Sequence, residues 1–203
     1  MSELLIKDML SKKKPLVSFE IFPPKKDYPI SIIYETIEAL KDLEPDFISV
    51  TYGAGGSSKN NTIEIASAIK NNYDIEALAH LTCIGGNRLE IQDTLESLKN
   101  NNIHNILALR GDFPKDMDST DIRNLEYKYA KDLVVDIKAA KHFNIGAAAY
   151  PEGHIESDNI FSDIRNLKEK VDTGVDFLIT QLFFDNEIFY DFLEKLDKSN
   201  ITI

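Results

Sequence analysis

Apolar and polar positions along the chain follow two repeating patterns. Short apolar runs predict six strands, and each run is followed by a segment with apolar residues at helical spacing. The predicted strands are Leu16–Glu20, Phe47–Thr51, Ala77–Thr82, Asn105–Leu109, Ile145–Tyr150 and Phe177–Gln181. The predicted helices are Ser31–Leu43, Asn61–Lys70, Arg88–Asn101, Tyr129–Phe143, Ser162–Thr173 and Glu187–Asp197. Strand and helix units of about 30 residues indicate parallel strands joined by right-handed crossovers.

Polar residues recur where the predicted strands end, and this recurrence bears on the type of sheet. Strands that alternate with helices fit either an open doubly wound sheet or a closed (β/α) barrel. The polar residues at these ends are Glu20, Thr51, His80, Thr82, Arg110, Asp112, Tyr150 and Gln181. Barrels build their active sites at this end of the strands. The pattern therefore favours a TIM (β/α)8-type barrel.

Side chains alternate between the two faces of each strand, which predicts where the barrel has internal space. In the first strand, Phe19 lies on the face that we expect to meet the helices, and Glu20 lies on the inner face. In the fifth strand, Gly146, Ala148 and Tyr150 share the inner face. The two small residues below Tyr150 predict a cavity near the polar end.

The number of units falls short of a complete barrel. A barrel of this type has eight strands and about 250 residues, whereas this pattern has six units and then Ile201–Ile203, which we interpret as the start of a seventh strand. We expect residues 1–203 to form one partial barrel domain of a C-terminally truncated chain. Two strand edges would be left without a partner strand unless loops, a partner or distortion cover them. We also expect a homo-oligomer.

Composition and charge narrow the class of protein. The 203 residues carry a formal net charge of -11, which argues against a nucleic-acid or membrane partner because both need clustered basic groups. Any anion must therefore be held by a few local cations. The single cysteine, Cys83, has no partner for an internal disulfide, and no Cys and His residues occur at zinc spacing. We expect a reducing, cytoplasmic setting and no metal site.

The first fourteen residues, MSELLIKDMLSKKK, carry apolar residues at helical spacing. Leu4, Leu5, Met9 and Leu10 predict a short amphipathic helix. The segment has no long apolar stretch followed by small residues, so we expect neither a signal peptide nor a membrane anchor.

Glu20 is the first candidate for acid–base chemistry. It ends the predicted first strand in the run VSFEIFPPKK, beside Phe22, Pro23 and Pro24. An apolar rim of this kind would raise the pKa of the carboxyl group and suit it to general-acid catalysis. The alternative is an ordinary surface carboxylate at a strand end.

Three further motifs follow the second, third and fourth strands. The run TYGAGGSS at residues 51–58 suits a loop that passes close to a ligand, or an ordinary flexible loop. His80 could donate to a cofactor, or be a satisfied structural group. In NILALRGD, Arg110 could clamp an anion while Gly111 allows close approach of the backbone and Asp112 meets a polarised group. The alternative is an ion pair between Arg110 and Asp112.

The last two units contribute polar residues at helical and strand-end positions. Asp163, Asn166 and Lys170 follow the run YPEGH at spacings of three and four, so they share one helix face. Such a face is either solvated or directed at a ligand. Gln181 has a donor and an acceptor suited to the edge of a heterocycle. The adjacent residues 183–184, both Phe, could wall a planar ligand or pack in the core.

Six stretches together resemble the methylenetetrahydrofolate reductase family. They are VSFEIFPPK, FISVTYGAGGSS, LAHLTCIG, NILALRGD, AAAYPEGH and DFLITQLFFD, in the family's order and with compatible spacing. Each is modest alone, but the set spans nearly the whole chain. The resemblance implies a (β/α)8 barrel of bacterial type with noncovalent FAD at the C-terminal ends of its strands. It also implies NAD(P)H as reductant, with NADH favoured, and a folate substrate.

The resemblance implies a reaction and a role for each of several residues. NAD(P)H would reduce the flavin, and 5,10-methylenetetrahydrofolate would then accept the hydride to give 5-methyltetrahydrofolate in one-carbon and methionine metabolism. Glu20 would be the general acid that opens the five-membered ring of the substrate, and Asp112 would stabilise the resulting cation. Gln181 would bind the folate, and Thr51 would also meet the nicotinamide.

The resemblance also implies a set of FAD contacts. They are Thr51, Tyr52, Ala54, His80, Arg110, Gly111, Asp112, Ala130, Tyr150, His154, Asp163, Asn166 and Lys170. The alternative function is a catalytically inactive partial barrel that binds flavin weakly or only self-associates.

Overall fold

The computed structural model describes residues 5–12, 15–24, 28–52, 59–113 and 124–203. Strands and helices alternate along these residues, as the hydrophobic pattern predicts. The strands are β1 Ser18–Ile21, β2 Phe47–Val50, β3 Glu76–Thr82, β4 Asn105–Leu109, β5 Asn144–Ala149 and β6 Phe177–Thr180. The helices are α1 Ile6–Leu10, α2 Ser31–Lys41, α3 Lys59–Asn72, α4 Arg88–Asn100, α5 Ala130–Ala139, α6 Ile160–Asp172 and α7 Asn186–Lys198.

The six strands form one parallel sheet in the order β1-β2-β3-β4-β5-β6. Each strand pairs with the next along the chain, for example Ser18 with Phe47 and Gly146 with Phe177. The sheet curls into a half-barrel, so the predicted incomplete (β/α) barrel is confirmed. Residues 201–203 form no strand, which corrects the predicted start of a seventh strand. Ile201 is instead buried in a small cluster with residues of α6 and α7, so packing rather than strand pairing holds it.

The main hydrophobic core lies between the outer face of the sheet and the helices. Ile48 and Val50 of β2 and Ile106 of β4 are fully buried in it. Phe19 packs against the same core from β1, as the alternation of its strand predicts. The opposite residues of these strands therefore point to the inside of the half-barrel.

Helix α1 closes the inner face of the sheet at the amino ends of the strands. Ile6 and Met9 are buried there against Phe177 and neighbouring inner-face residues. The backbone amide of Ile6 donates to Oδ1 of Asn105 at 3.0 Å, which satisfies one of the free amides at the start of the helix. The predicted short amphipathic helix is thus confirmed with Met9 in the core, whereas Leu5 precedes the helix and Leu10 is 48% exposed. Leu4 lies outside the described residues. The carboxyl ends of the strands, where the polar residues were predicted, are not covered by this helix.

The inner face has little spare volume around Gly146. A Cβ atom at this position would lie 2.6 Å from Cζ of Phe177 and 3.2 Å from Cδ1 of Leu107. The space predicted beside Gly146 is therefore filled by the ring of Phe177. We expect Gly146→Ala to lower the free energy of unfolding by about 1–3 kcal/mol, as overpacking does in close-packed cores, measured by urea denaturation.

Gly86→Ala provides the matched control, because the nearest atom to a Cβ there is the carbonyl oxygen of Cys83 at an ordinary 3.5 Å. We expect this control to keep the wild-type stability. Adding Phe177→Leu to Gly146→Ala should recover part of the loss. Equal stability of the two alanine variants would contradict the close contact with Phe177.

Candidate functional site

A cavity of ≈ 440 Å³ lies at the carboxyl ends of β4 and β5, beside α5 and α6. Parallel strands place their carboxyl ends at one edge of the sheet, so residues far apart in sequence meet there. Seven of the thirteen predicted FAD contacts line this cavity: Arg110, Ala130, Tyr150, His154, Asp163, Asn166 and Lys170. Ala148 also lines it, as the pattern of small residues in β5 predicts.

One face of α6 supplies three of these side chains. The helix begins after Asn159, whose side chain accepts a hydrogen bond from the backbone amide of Ser162 at 3.0 Å. From this start, Asp163, Asn166 and Lys170 all face the cavity. The predicted common face is confirmed, and it is directed at the cavity rather than only at solvent.

Lys170 is the most unusual charged group in the cavity. Its Nζ donates to the carbonyl oxygen of Ala148 at 2.6 Å, which is a neutral partner. Burial lowers the pKa of Lys170 to about 8, although nearby Asp163 acts in the opposite direction. Ser157 donates to Oδ1 of Asp163 at 3.0 Å and so holds that carboxylate in place. A partly buried ammonium group of this kind gains most from an anionic ligand.

Tyr150 and His154 form an aromatic corner of the cavity. Their rings meet edge to face, with centroids 4.7 Å apart. Nδ1 of His154 accepts a hydrogen bond from the backbone amide of Glu156 at 3.1 Å, which fixes the ring on its loop. Burial raises the pKa of Tyr150 above its ordinary value, so its hydroxyl group stays protonated near neutral pH.

Arg110 is held by a carboxylate from the loop after β5. Its Nη1 and Nη2 donate to the two carboxylate oxygens of Glu156 at 2.6 and 2.7 Å. Its guanidinium group also lies over the ring of Phe113, 4.7 Å from the centroid. In place of the alternative ion pair with Asp112, the guanidinium group forms a bidentate pair with Glu156, which lies in the loop between β5 and α6.

Glu20 and His80 meet on the inner face of β1, β2 and β3. Oε2 of Glu20 lies 3.4 Å from Nε2 of His80, and Ser49 donates to the same oxygen at 3.5 Å. Nε2 of His80 is buried and has no hydrogen-bond partner among the described residues. Within this part of the chain the nitrogen is left without a hydrogen bond, and a contact of His80 with a cofactor stays a prediction. Burial lowers the pKa of His80 to about 4, so the imidazole is neutral near pH 7.

The apolar rim predicted around Glu20 does not enclose it. The side chain of Glu20 is 48% exposed, and Phe22 is 67% exposed. Glu20 lies on β1, which is an edge strand of the described sheet. The general-acid role of Glu20 stays a prediction.

The other predicted site residues lie near strand ends but outside the cavity. Thr51 follows β2, and its carbonyl oxygen accepts from Oγ1 of Thr62 at 2.9 Å. Tyr52 packs against the helix-side core, and burial raises the pKa of its hydroxyl group. Asp112 and Gln181 are exposed after β4 and β6. The FAD and folate contacts of these residues stay predictions.

Gly111 and Ala54 complete the predicted set. Gly111 has a φ of +86°, and a Cβ there would lie 3.0 Å from Cβ of Thr82, so both its conformation and its packing favour glycine. Ala54 lies outside the described residues, as does most of the TYGAGGSS run.

Two further observations concern groups that could line a site. Phe183 stacks on Phe189 with ring centroids 4.7 Å apart, and Phe184 is 92% exposed. Neither ring lies in the main core.

Within the described parts of the chain, no group of three or more His, Cys, Asp or Glu side chains is arranged to hold a metal ion.

Sequence reasoning missed Glu156 and Ser157. Both lie in the loop between β5 and α6 and line the cavity. Their partners, Arg110 and Asp163, were predicted site residues, but nothing in the local pattern indicates which acidic residue would reach Arg110. The nearby YPEGH run was the only available signal for this loop.

Comparison with known sequences identifies the family. The family profile of methylenetetrahydrofolate reductase matches residues 5–203. This chain belongs to the methylenetetrahydrofolate reductase family. The 5,10-methylenetetrahydrofolate reductase of Escherichia coli is 38% identical over 187 residues, which is 92% of this chain and 61% of that protein. Methylenetetrahydrofolate reductase (NADH) 1 of Arabidopsis thaliana is 38% identical over 199 residues, which is 93% of this chain and 34% of that protein.

The chain therefore spans about three fifths of the length of the bacterial family members that it matches. Among the described residues, no helix has the length and apolar character needed to cross a membrane.

Solved structures support the fold. Oxaloacetate acetylhydrolase has a TM-score of 0.66 at 14% identity, covering 94% of this chain and 67% of that one. An uncharacterised protein from Clostridium thermocellum, described as binding two copies of 5-methyl-5,6,7,8-tetrahydrofolic acid, has a TM-score of 0.62 at 14% identity. The matched region covers 98% of this chain and 66% of the Clostridium thermocellum protein. At such identities the likeness concerns the fold alone.

Proposed function

We propose that this chain carries the flavin site of an enzyme that reduces 5,10-methylenetetrahydrofolate to 5-methyltetrahydrofolate. The reductant is NAD(P)H, with NADH favoured, and the cofactor is noncovalent FAD. Family membership supports the folate reaction. The observation that carries the cofactor assignment is the cavity at the carboxyl ends of β4 and β5, where Lys170 presents a partly buried ammonium group.

The residues of the cavity fit a dinucleotide with a flavin. Lys170 and the start of α5 at Ala130 are suited to phosphate groups, since both favour negative charge. Tyr150 and His154 offer aromatic surface beside them. On the inner face, the unpartnered Nε2 of His80 is available to a polar group of a ligand. FAD would supply the hydride chemistry, while these residues bind and orient it.

The environment of Glu20 suits a proton donor. His80 lies 3.4 Å from Glu20, and its low pKa keeps the imidazole neutral near pH 7. Glu20 therefore receives no positive charge from its nearest titratable neighbour. The exposed side of the carboxyl group is open to a substrate, as a residue that donates a proton to the substrate requires.

Asp112 and Gln181 take the other substrate roles. Asp112 is exposed next to Gly111, so its carboxylate is accessible to a developing cation on the substrate. Gln181 follows the edge strand β6, where its backbone amide donates to the carbonyl oxygen of Ala149 at 2.7 Å. This bond sets the position of the residue at the rim, and its side chain is accessible to a folate ring.

The visible spectrum of the purified chain tests this proposal. We expect protein that has been incubated with FAD and desalted to retain the flavin absorption. NADH should bleach that absorption under anaerobic conditions, and methylenetetrahydrofolate should then restore it with formation of methyltetrahydrofolate. NADPH in place of NADH tests the reductant preference.

Two outcomes would count against the proposal. Colourless protein after incubation with FAD would contradict the flavin site and favour the inactive partial barrel. Retained flavin that NADH bleaches but methylenetetrahydrofolate does not reoxidise would contradict the folate reaction. Gel filtration of the same sample tests the expected homo-oligomer.

A further inference from the structure

The ion pair between Arg110 and Glu156 uses most of the hydrogen-bonding capacity of the guanidinium group. Nη1 and Nη2 donate to the two oxygens of Glu156 at 2.6 and 2.7 Å, and Nε donates to the carbonyl oxygen of Gly111 at 3.3 Å. Phe113 covers one face of the group. The side chain of Arg110 is 19% exposed, so few of its donors remain accessible. A second anion would have to compete with a bidentate carboxylate.

Three of the cations that line the cavity have two kinds of partner between them, carboxylates and a neutral carbonyl oxygen. Lys131 is paired with Glu169 at 2.7 Å, whereas Lys170 donates to a neutral carbonyl oxygen. Arg110 is thus a strong cation that faces the cavity while its charge is neutralised by a neighbour from the same cavity wall. Lys170 is thus a partly buried cation of the cavity whose hydrogen bond goes to a neutral group and not to a carboxylate.

We propose that Glu156 determines how strongly the cavity binds anions, because it withholds Arg110 from them. The proposal rests on the proposed function, in which the anion is the diphosphate of FAD. Removal of the Glu156 charge should free the guanidinium group and strengthen the binding of FAD. Neutral riboflavin, which lacks the phosphates, should bind as before. The ion pair also raises the pKa of Arg110 and lowers the pKa of Glu156, which agrees with a strong mutual interaction.

The test compares Glu156→Gln with Asp158→Asn by titration with FAD at low ionic strength. Asp158 also lines the cavity, so its substitution removes one negative charge from the same wall without touching the Arg110 pair. We expect Glu156→Gln to lower the dissociation constant of FAD about three- to tenfold further than Asp158→Asn does, as expected for one freed charge near an anion. In an Arg110→Gln background, Glu156→Gln should give no such additional gain.

A second measurement does not depend on flavin. Phenylglyoxal modifies accessible guanidinium groups, and mass spectrometry can follow each arginine separately. We expect Arg110 to react several times faster in Glu156→Gln than in the wild-type chain. Arg88 is the internal control, because its partner is Asp136 at 3.1 Å, and its rate should stay unchanged.

The outcomes separate this proposal from the proposed function. Equal effects of Glu156→Gln and Asp158→Asn on FAD binding, weaker binding in Glu156→Gln, or an unchanged Arg110 modification rate would each overturn the role of Glu156. If neither the wild type nor the variants bind FAD, the proposed function fails. In that case the modification rates alone decide whether Glu156 withholds Arg110.

Discussion

The Glu20→Gln substitution is expected to lower the rate of methylenetetrahydrofolate reduction by about 10²- to 10⁴-fold, the range for loss of a general acid. Glutamine keeps the size of the side chain but cannot donate a proton to the substrate. Reduction of the flavin by NADH should continue near the wild-type rate, because that half-reaction needs no acid at Glu20. Stopped-flow absorbance measures the two half-reactions separately.

The matched control is Glu35→Gln, the same substitution at an exposed position of α2. It should leave both half-reactions unchanged. If Glu20→Gln slowed both half-reactions equally, the general-acid role would be wrong, and Glu20 would instead affect flavin binding. An effect on flavin binding is physically possible, because Glu20 lies 3.4 Å from His80, which is a predicted flavin contact.

The Lys170→Met substitution is expected to weaken FAD binding by about 10- to 100-fold, the effect of losing one hydrogen bond to a charged group. Methionine retains most of the aliphatic volume, so the cavity should keep its shape. Fluorescence titration with FAD measures the change. The matched control is Lys168→Met on the same helix, because Lys168 is not among the cavity-lining residues and pairs with Asp172.

Lys170 also predicts a pH dependence. Its pKa in the fold is about 8, below the ordinary value of 10.5, so the ammonium group loses its charge as pH rises through 8. FAD affinity should therefore fall across that range in the wild type and stay flat in Lys170→Met. Because the unfolded chain binds the proton more tightly, the free energy of unfolding should rise with pH between about 8 and 10.5. A flat wild-type affinity profile would contradict the role of the Lys170 charge.

The arrangement of strands and helices was accessible from the sequence because local burial patterns encode it. Each of the six strands and the six helices that follow them forms within a few residues of its predicted bounds. Parallel pairing of consecutive strands followed from the unit length, since a helical crossover returns the chain to the same direction. The face of α6 that carries Asp163, Asn166 and Lys170 followed from helical spacing.

Hydrogen bonds between residues that are distant in sequence could not be predicted from these local patterns. Glu156 reaches Arg110 from 46 residues away, and the Asn105 side chain meets the amide of Ile6 across 99 residues. No periodic pattern relates such positions, because their distance depends on the curl of the sheet and the paths of two loops. The burial of His80 and the filling of the space beside Gly146 by Phe177 depend on the same assembly.

The order of elements and the polar strand ends were thus contained in the linear pattern of residues, because burial and strand alternation are local properties. The family was indicated by the resemblance of six motifs. The three-dimensional assembly decided which charges are paired. It neutralises Arg110 with Glu156 and leaves Lys170 on a neutral carbonyl oxygen, and it keeps His80 neutral beside Glu20. The physical reason is that hydrogen bonding and desolvation depend on distances between distant segments, which only the folded sheet sets.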